Sequence, residues 1–507
     1  MHCERGFILL GLALVVGLSY LGLVSEAQAL VVNENTKFAA TGGAAGDRFG
    51  YSVAFDGTRP IVGSRYDDAE KGSAYVFQSD GGSGYIQLKK LVPGDAFAGD
   101  QVGSSVVISG DLALVGGYKA DVTVGEIDLY TDAGAVWVFK KDEGGTDNWG
   151  QFAKLLPDTP VAGATFGSAI ALDGNTLLVG AQNEDTGPII NGGAVYVFEG
   201  DGAGNFTQVQ KIVPTVDTTY RYFGQSLDLD GDTMVVGSYG RNKAYVFEKD
   251  AGTWVEQMSL TVTGTTYFGT GTSIQDDTIV VGAYQTDIEG QNKAGSAYVF
   301  NRDEGGEDNW GQVAELLPGD GPQAAGYFGI STAIDGDKIV VGARGQDGQG
   351  AAYGYGKTGG VWVESGKLAV SDGLPGDELG FRVALVGDLA VVTAQGADAG
   401  AYTGAAYTFT VPDPSVLIPG NTDDDDDVDA DDAAVLAGNW GSYNEDFTYH
   451  DGDFNGDHYV NALDASILAG NWTGPGESGA SSVPEPNVMI LLAGIILPAF
   501  LRRGRRG

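Results

Sequence analysis

Two stretches near the end of the chain carry oxygen-bearing side chains at the spacing that a hard cation requires. They run from Asn421 to Asp432 and from Asp453 to Asp464. In a loop of this type, side-chain oxygens at positions 1, 3, 5 and 12 and a carbonyl at position 7 converge on Ca²⁺. The candidate ligands are Asn421, Asp423, Asp425 and Asp432 in one loop and Asp453, Asn455, Asp457 and Asp464 in the other, with carbonyls from Asp427 and Tyr459. Asp429 and Asn461 would act through water. Val428 and Val460 fill position 8, and a helix is predicted from position 12, leading in each copy to Ala-Gly-Asn-Trp. A solvated acidic tail is the alternative for the first copy. The second copy keeps the same frame with fewer acids, which favours calcium.

A second set of carboxylates recurs along the body of the chain. Asp68, Asp121, Asp185, Asp287 and Asp347 each stand five residues beyond a glycine, and Asp398 stands at the same offset from Thr393. Each either accepts backbone N–H bonds and fixes its own loop, or joins neighbours such as Asp67, Glu126, Asp128, Glu184 or Glu289 in holding Ca²⁺ or lining a ligand site. Spacing leaves both readings open. Other chemistry is excluded. The histidines are His2, His450 and His458 and the one cysteine is Cys3, so residues 31–411 can build neither a His-based triad, a Cys nucleophile nor a usual zinc site. Hydrolysis by a carboxylate pair stays open. No Asp or Glu has a context that marks it as catalytic, so none is assigned.

The elements that position these acids come from a sevenfold repeat. Each unit opens on Phe-Gly or a variant (Phe49-Gly50, Val102-Gly103, Phe166-Gly167, Phe223-Gly224, Phe268-Gly269, Phe328-Gly329, Leu379-Gly380) and closes on a Tyr-Val-Phe-like triplet such as Tyr75-Val76-Phe77 or Tyr407-Thr408-Phe409. Such short β units cannot bury a core singly and must pack on one another. Strand A runs to an Asp-Gly turn, strand B is Val-Val-Gly-like, a variable loop leads to strand C, and a hairpin leads to strand D. In six units an aromatic stands six residues before a Leu or Ile on strand D, as in Tyr85/Leu91 and Trp254/Leu260, a spacing that predicts one shared face. The seventh unit has no strand D. Val32 and Phe38 reproduce the spacing at the front, so residues 31–40 are predicted to complete the last blade by pairing with 404–410, which closes the ring and removes exposed edges. The Phe of each Phe-Gly and the set Trp149, Trp254, Trp310 and Trp362 read as packing residues rather than a sugar platform.

The repeats resemble FG-GAP repeats, the units of the seven-bladed β-propeller of integrin α subunits. That resemblance implies an all-β propeller over residues 30–411 and a role in recognition or adhesion. Integrin blades carry longer calcium loops between strands A and B. Here Asp56-Gly57, Asp230-Gly231-Asp232 and Asp335-Gly336-Asp337 are too short to wrap a cation and read as turn formers. The paired loops of residues 420–473 resemble a dockerin domain, a small α module of two EF-hand-type loops. Position 6, usually Gly, is Asp426 and His458, and positions 10 and 11 are Ala430-Asp431 and Ala462-Leu463 rather than the Ser-Thr of cohesin recognition. Two Ca²⁺ ions carry over from this resemblance more safely than a cohesin-like partner does.

The two ends read as targeting segments. Residues 1–29 form a secretory signal with Arg5, an apolar run from Phe7 to Leu23 and Ala27-Gln28-Ala29 as cleavage site, an uncleaved anchor being the alternative. Linkers are expected at 412–419 and 474–482. In 483–507, Val483-Pro484-Glu485-Pro486 precedes an apolar stretch from Val488 to Leu501 and the cluster Arg502, Arg503, Arg505 and Arg506. This tail is similar to the PEP-CTERM sorting signal, which implies a transient transmembrane helix, an exosortase partner, and export to the envelope, outer surface or exterior of a Gram-negative bacterium. A net charge of −40 argues against nucleic acid as a partner. The expectation is an exported recognition, adhesion or scaffold protein that engages a protein or glycan through its B–C loops. The alternatives are a glycoside hydrolase delivered by the dockerin-like module, and a purely structural envelope component.

Overall fold

Strand A of each repeat begins beside or just after a glycine and strand B of the first six ends at or beside one, and the packing of neighbouring repeats dictates both. In the computed structural model, which describes residues 30–413 except 83, 126–127, 216–220, 307–308, 359 and 399–400, together with 430–440, 442, 460 and 465, seven antiparallel sheets of strands A to D surround one axis. The A strands contact one another in succession around that axis, and the last also touches the first. A Cβ at Gly63, Gly180 or Gly282 of strand B would sit 2.1, 2.0 or 1.9 Å from the carbonyl oxygen of Gly103, Gly224 or Gly329 in the next blade. Those Phe-Gly glycines have φ of 87°, 85° and 86°, which a side chain would strain. Strand A adds a hydroxyl clasp across the same junction: Ser52 Oγ donates to Gly103 O at 2.8 Å, Ser105 Oγ to Gly167 O at 2.7 Å and Ser226 Oγ to Gly269 O at 2.9 Å.

The core lies between blades. One apolar cluster fills each interface, and the Phe of Phe-Gly is buried in it, edge-on to the aromatics of strand C, as Phe223 is to Tyr245 at 5.5 Å and Phe247 at 5.9 Å. Trp149, Trp254 and Trp310 are at most 4 % exposed and pack into these clusters, as the sequence reading expects.

The shared face predicted for the aromatic and the Leu of strand D is wrong. Leu91 packs between blades 1 and 2 while Tyr85 packs between blades 7 and 1, and Trp254 and Leu260 are separated in the same way. The cause is a β-bulge between strands C and D, with register shifts at Val76/Phe77, Val197/Phe198 and Val246/Phe247. One extra residue turns an even spacing into opposite faces.

The ring closes as predicted, with one correction. Thr36–Phe38 pairs antiparallel with Ala405–Thr410, and Phe38 lies opposite Ala406 as Leu91 lies opposite Ala74. Val31–Asn33 does not join that blade; it runs parallel to strand D of blade 6, with Val32 opposite Leu368. Glu34 turns the chain between the two by holding Ser371 through its N–H and hydroxyl, and Gly366 leaves room for Val32. Across the closing junction Thr393 Oγ1 donates to Gly50 O at 2.8 Å, the amide of Phe49 to Thr403 O at 3.0 Å.

On the opposite face the Asp-Gly turns behave as turn formers. Asp56 Oδ1 accepts the amides of Thr58 and Arg59, and Asp335 Oδ2 accepts that of Gly387 in the next blade at 2.5 Å. Residues 30–413 belong to one compact unit and the residues from Ala430 onward to a second. The second shows a helix, Ala430–Gly438, two residues ahead of its predicted start, with Ala433 and Leu436 buried. Val460 is also buried and its amide donates to Ser442 O at 3.3 Å. Among the described residues no helix is long and apolar enough to cross a membrane. The two apolar runs read as targeting segments lie outside the described residues.

Candidate functional site

The B–C loops and D–A connections share one face, and the six aspartates anticipated there are all exposed. Asp121, Asp185 and Asp287 close their own loops, accepting the amides of Asp132, Asn191 and Lys293 at 2.9, 2.8 and 2.8 Å. Those three residues have φ of 49°, 52° and 56°, so the carboxylate secures a left-handed turn. Asp398 accepts the Thr403 hydroxyl. Asp68 and Asp347 face Lys90 and Lys367. The six do not come together, and among the described residues no three His, Cys, Asp or Glu side chains are grouped to hold a metal ion. The calcium-loop ligands lie outside the described residues, except for Asp432, whose backbone is in the helix Ala430–Gly438.

A second set of acids, which the five-residue offset does not find, ties strand C to strand D. Tyr75 donates to Asp67 Oδ2 at 2.6 Å, and Lys90, its register partner, pairs with the same oxygen at 2.7 Å while lying 5.7 Å from the Tyr75 ring. The arrangement recurs as Trp137–Asp95–Lys154, Tyr196–Glu184–Lys211, Tyr353–Asp320–Lys367 and Tyr407–Asp372–Lys37. Burial raises the Asp67 carboxyl, but Lys90, Ser73 and Tyr75 outweigh it and hold its pKa below 3.8. Burial, with Asp67, pushes the Tyr75 phenol up to about 12. The signal was a Lys directly before the Leu, Ile or Phe of strand D. It is present at Lys90, Lys154, Lys211, Lys367 and Lys37, the last on the strand contributed by the start of the chain.

The inner rim of this face is aromatic. The residue before each Phe-Gly pair is left-handed, and with the residue two beyond the end glycine of strand B it surrounds the channel mouth. From blade 4 to blade 6 these positions hold a ladder. Tyr222 stacks on Tyr239 at 5.0 Å and Tyr239 on Tyr267 at 5.2 Å, Tyr284 meets Tyr267 edge-on at 5.3 Å, and Tyr327 lies 6.0 Å further on. Arg344 caps the ladder 4.8 Å from the Tyr327 ring. From blade 7 to blade 2 the rim changes. Arg65 lies 3.7 Å from the Tyr51 ring and 4.6 Å from that of Tyr66, and donates to the Tyr118 hydroxyl at 3.3 Å. These side chains are half-buried, so part of each remains open to a ligand. Burial, then the neighbouring phenols, pushes Tyr239 up to about 12, so its hydroxyl keeps its proton at physiological pH. Such a rim can stack, donate phenolic hydrogen bonds and bind anions.

The family model described as FG-GAP repeat matches residues 32–77, 85–139, 149–198, 206–247, 254–300, 310–355 and 362–409. Each match begins on or beside the outer strand of one blade and ends on strand C of the next, so the sequence repeat straddles two blades. No curated protein matches the chain.

Proposed function

The chain belongs to the FG-GAP repeat family, and on that premise we propose that it is a non-catalytic recognition and adhesion protein, exported to the cell surface or its surroundings, whose ligand is a protein or glycan held on the B–C loop face. The observation that supports this reading is the rim of half-buried tyrosines and arginines on that face, where blade 3 carries Thr165 and Gln182 at the same positions of the repeat. Fold alone would not carry it, since one propeller serves many functions. The dockerin-like residues 420–473 bind two Ca²⁺ through Asn421, Asp423, Asp425, Asp427 and Asp432 and through Asp453, Asn455, Asp457, Tyr459 and Asp464. The tail of residues 483–507 holds the chain in the inner membrane until an exosortase-type enzyme releases it.

The mature chain applied to glycan and protein arrays, with assays for release of reducing ends from polysaccharides, tests this directly. Saturable binding without turnover is expected. Turnover would establish the hydrolase reading instead, and no binding at all would leave a structural component. Titration calorimetry of the metal-free chain should count two Ca²⁺, falling to one in Asp464→Ala. A count unchanged by that substitution would remove the calcium assignment from the second loop.

A further inference from the structure

Position 382 breaks the repeat. Where blades 1, 2, 4 and 6 carry a clasping serine on strand A (Ser52, Ser105, Ser226, Ser331), blade 7 carries Arg382. The lost clasp is restored from strand B. Thr393, in place of the usual glycine, donates to Gly50 O at 2.8 Å and accepts the Arg382 amide at 3.2 Å. This pair of exchanges keeps the ring closed and leaves a guanidinium at the channel mouth.

That guanidinium is not neutralised by the fold. Arg382 Nη1 donates to the carbonyl of Phe381 at 2.8 Å, and Arg382 makes no ion pair among the described residues. Its remaining neighbours are ring faces: Phe381 at 4.4 Å and Tyr51 at 5.8 Å. The same two rings hold Arg344 at 5.9 Å and Arg65 at 3.7 Å, and Tyr51 and Phe381 lie 5.5 Å apart. Three guanidinium groups from blades 1, 6 and 7 thus gather around two aromatic rings. Among the described residues one carboxylate serves them: Glu378, 3.4 Å from Arg344. The Nε atoms of Arg65 and Arg344 are buried without a partner among the described residues. Burial, opposed by Tyr51 and reinforced by Arg344 and Arg65, lowers the Arg382 pKa, the response of a cation that lacks a counter-charge. All this occurs in a chain whose net charge is −40.

Beside the arginines stands an acceptor that also lacks a partner. Gln395 donates from Nε2 to Glu378 at 2.6 Å, and its Oε1 is buried and unpaired among the described residues. A ligand that satisfied this mouth would accept from the guanidinium groups and donate to the amide. A simple carboxylate or a phosphodiester donates nothing, whereas a sugar acid does both. The planar fork of arginine suits a carboxylate, and the acidity of the remaining surface disfavours a polyanion. We propose that the channel mouth binds a single uronate residue of an otherwise neutral glycan, its carboxylate on Arg382 between Arg65 and Arg344 and a ring hydroxyl on Gln395 Oε1.

This inference rests on the recognition reading and narrows its ligand. The test is calorimetry of the full mature chain with a xylo-oligosaccharide carrying one glucuronate, the same oligosaccharide without it, acetate, and blocked glutamate as a peptide surrogate. The uronate-bearing oligosaccharide should bind at least tenfold more tightly than any comparator. Arg382→Ser, which restores the residue of blades 1, 2, 4 and 6, should remove that preference with an unchanged or higher melting temperature, and Arg344→Gln should weaken it less. Equal affinity for the neutral oligosaccharide, or wild-type affinity in Arg382→Ser, overturns the proposal. Preference for blocked glutamate overturns the saccharide assignment. If arrays find another ligand that Arg382→Ser leaves unaffected, this inference falls and the recognition reading stands; if they find none, the recognition reading itself falls.

Discussion

The lysines between strands C and D and the arginines at the channel mouth sit on the same repeat and meet opposite fates. Lys90, Lys154, Lys211, Lys367 and Lys37 each lie over an aromatic ring and end on a carboxylate. Arg65 and Arg382 also lie over aromatic rings, but no ion pair completes them among the described residues. The outer charges are repeated and paired, so the fold uses them up. The inner charges break the repeat and are left over. A cation that appears once in seven repeats, at a place where the other blades carry serine or the smaller Ala169 and Gly271, is a better marker of binding than the acids that appear six times.

The comparison is broken most severely where the outer clasp comes from the far end of the chain. Phe38 fills the blade 7–blade 1 core, 4.8 Å from Phe77 and 5.1 Å from Tyr85. Phe38→Ala should cost about 3–5 kcal/mol in denaturant unfolding; a loss of only a few tenths would mean that the strand exchange does not hold the ring. Asp67→Ala should come next. It leaves the Tyr75 hydroxyl without its acceptor and Lys90 with Asp68 alone, at a cost of about 2 kcal/mol, while ligand binding stays at wild-type strength. Arg382→Ser should show the reverse, with stability within about 0.5 kcal/mol of wild type or above it and binding lost. If both variants moved the same property, outer and inner charges would not have separate roles.

The smallest effect concerns pH, and the two regions should slope in opposite directions. Asp228, on strand A, accepts the amides of Ile274 and Leu229, yet burial pushes its carboxyl up to about 7. A carboxyl raised on folding stabilises while protonated, so its contribution is full below 3.8 and is lost as pH rises through about 7. Asp67 and Asp95 are held below 3.8, so theirs is present above that value and is lost as pH falls beneath it. Melting temperatures between pH 3 and 9 should therefore fall on both sides, and Asp228→Asn should flatten the neutral side alone.

Much of the propeller was legible because its constraints are local and repeated. Phe-Gly, the Asp-Gly turns and Tyr-Val-Phe each mark a strand end, and the missing seventh strand D pointed to Phe38. The bulge was not legible, because six residues on paper look like an even spacing until an extra residue enters the ladder. The diversion of Val31–Asn33 depends on Glu34 meeting Ser371, more than three hundred residues away. The mouth was hidden for a related reason. Tyr222, Tyr239, Tyr267, Tyr284 and Arg344 come from three repeats and meet only once the ring is closed. The aspartate offset was correct as a pattern, but loops of unequal length gave its members unequal partners.

Strand Ala405–Thr410 lies between Leu389–Ala394 and the returning Thr36–Phe38. A pull applied to the chain beyond Val411 therefore acts along a strand bonded on both sides. Such a strand must slide, breaking its bonds together, whereas an uncovered edge strand would unzip one bond at a time. Closure thus sets the load the body would withstand under such a pull as well as its resting stability, and an unfolding rate rather than an equilibrium governs that limit.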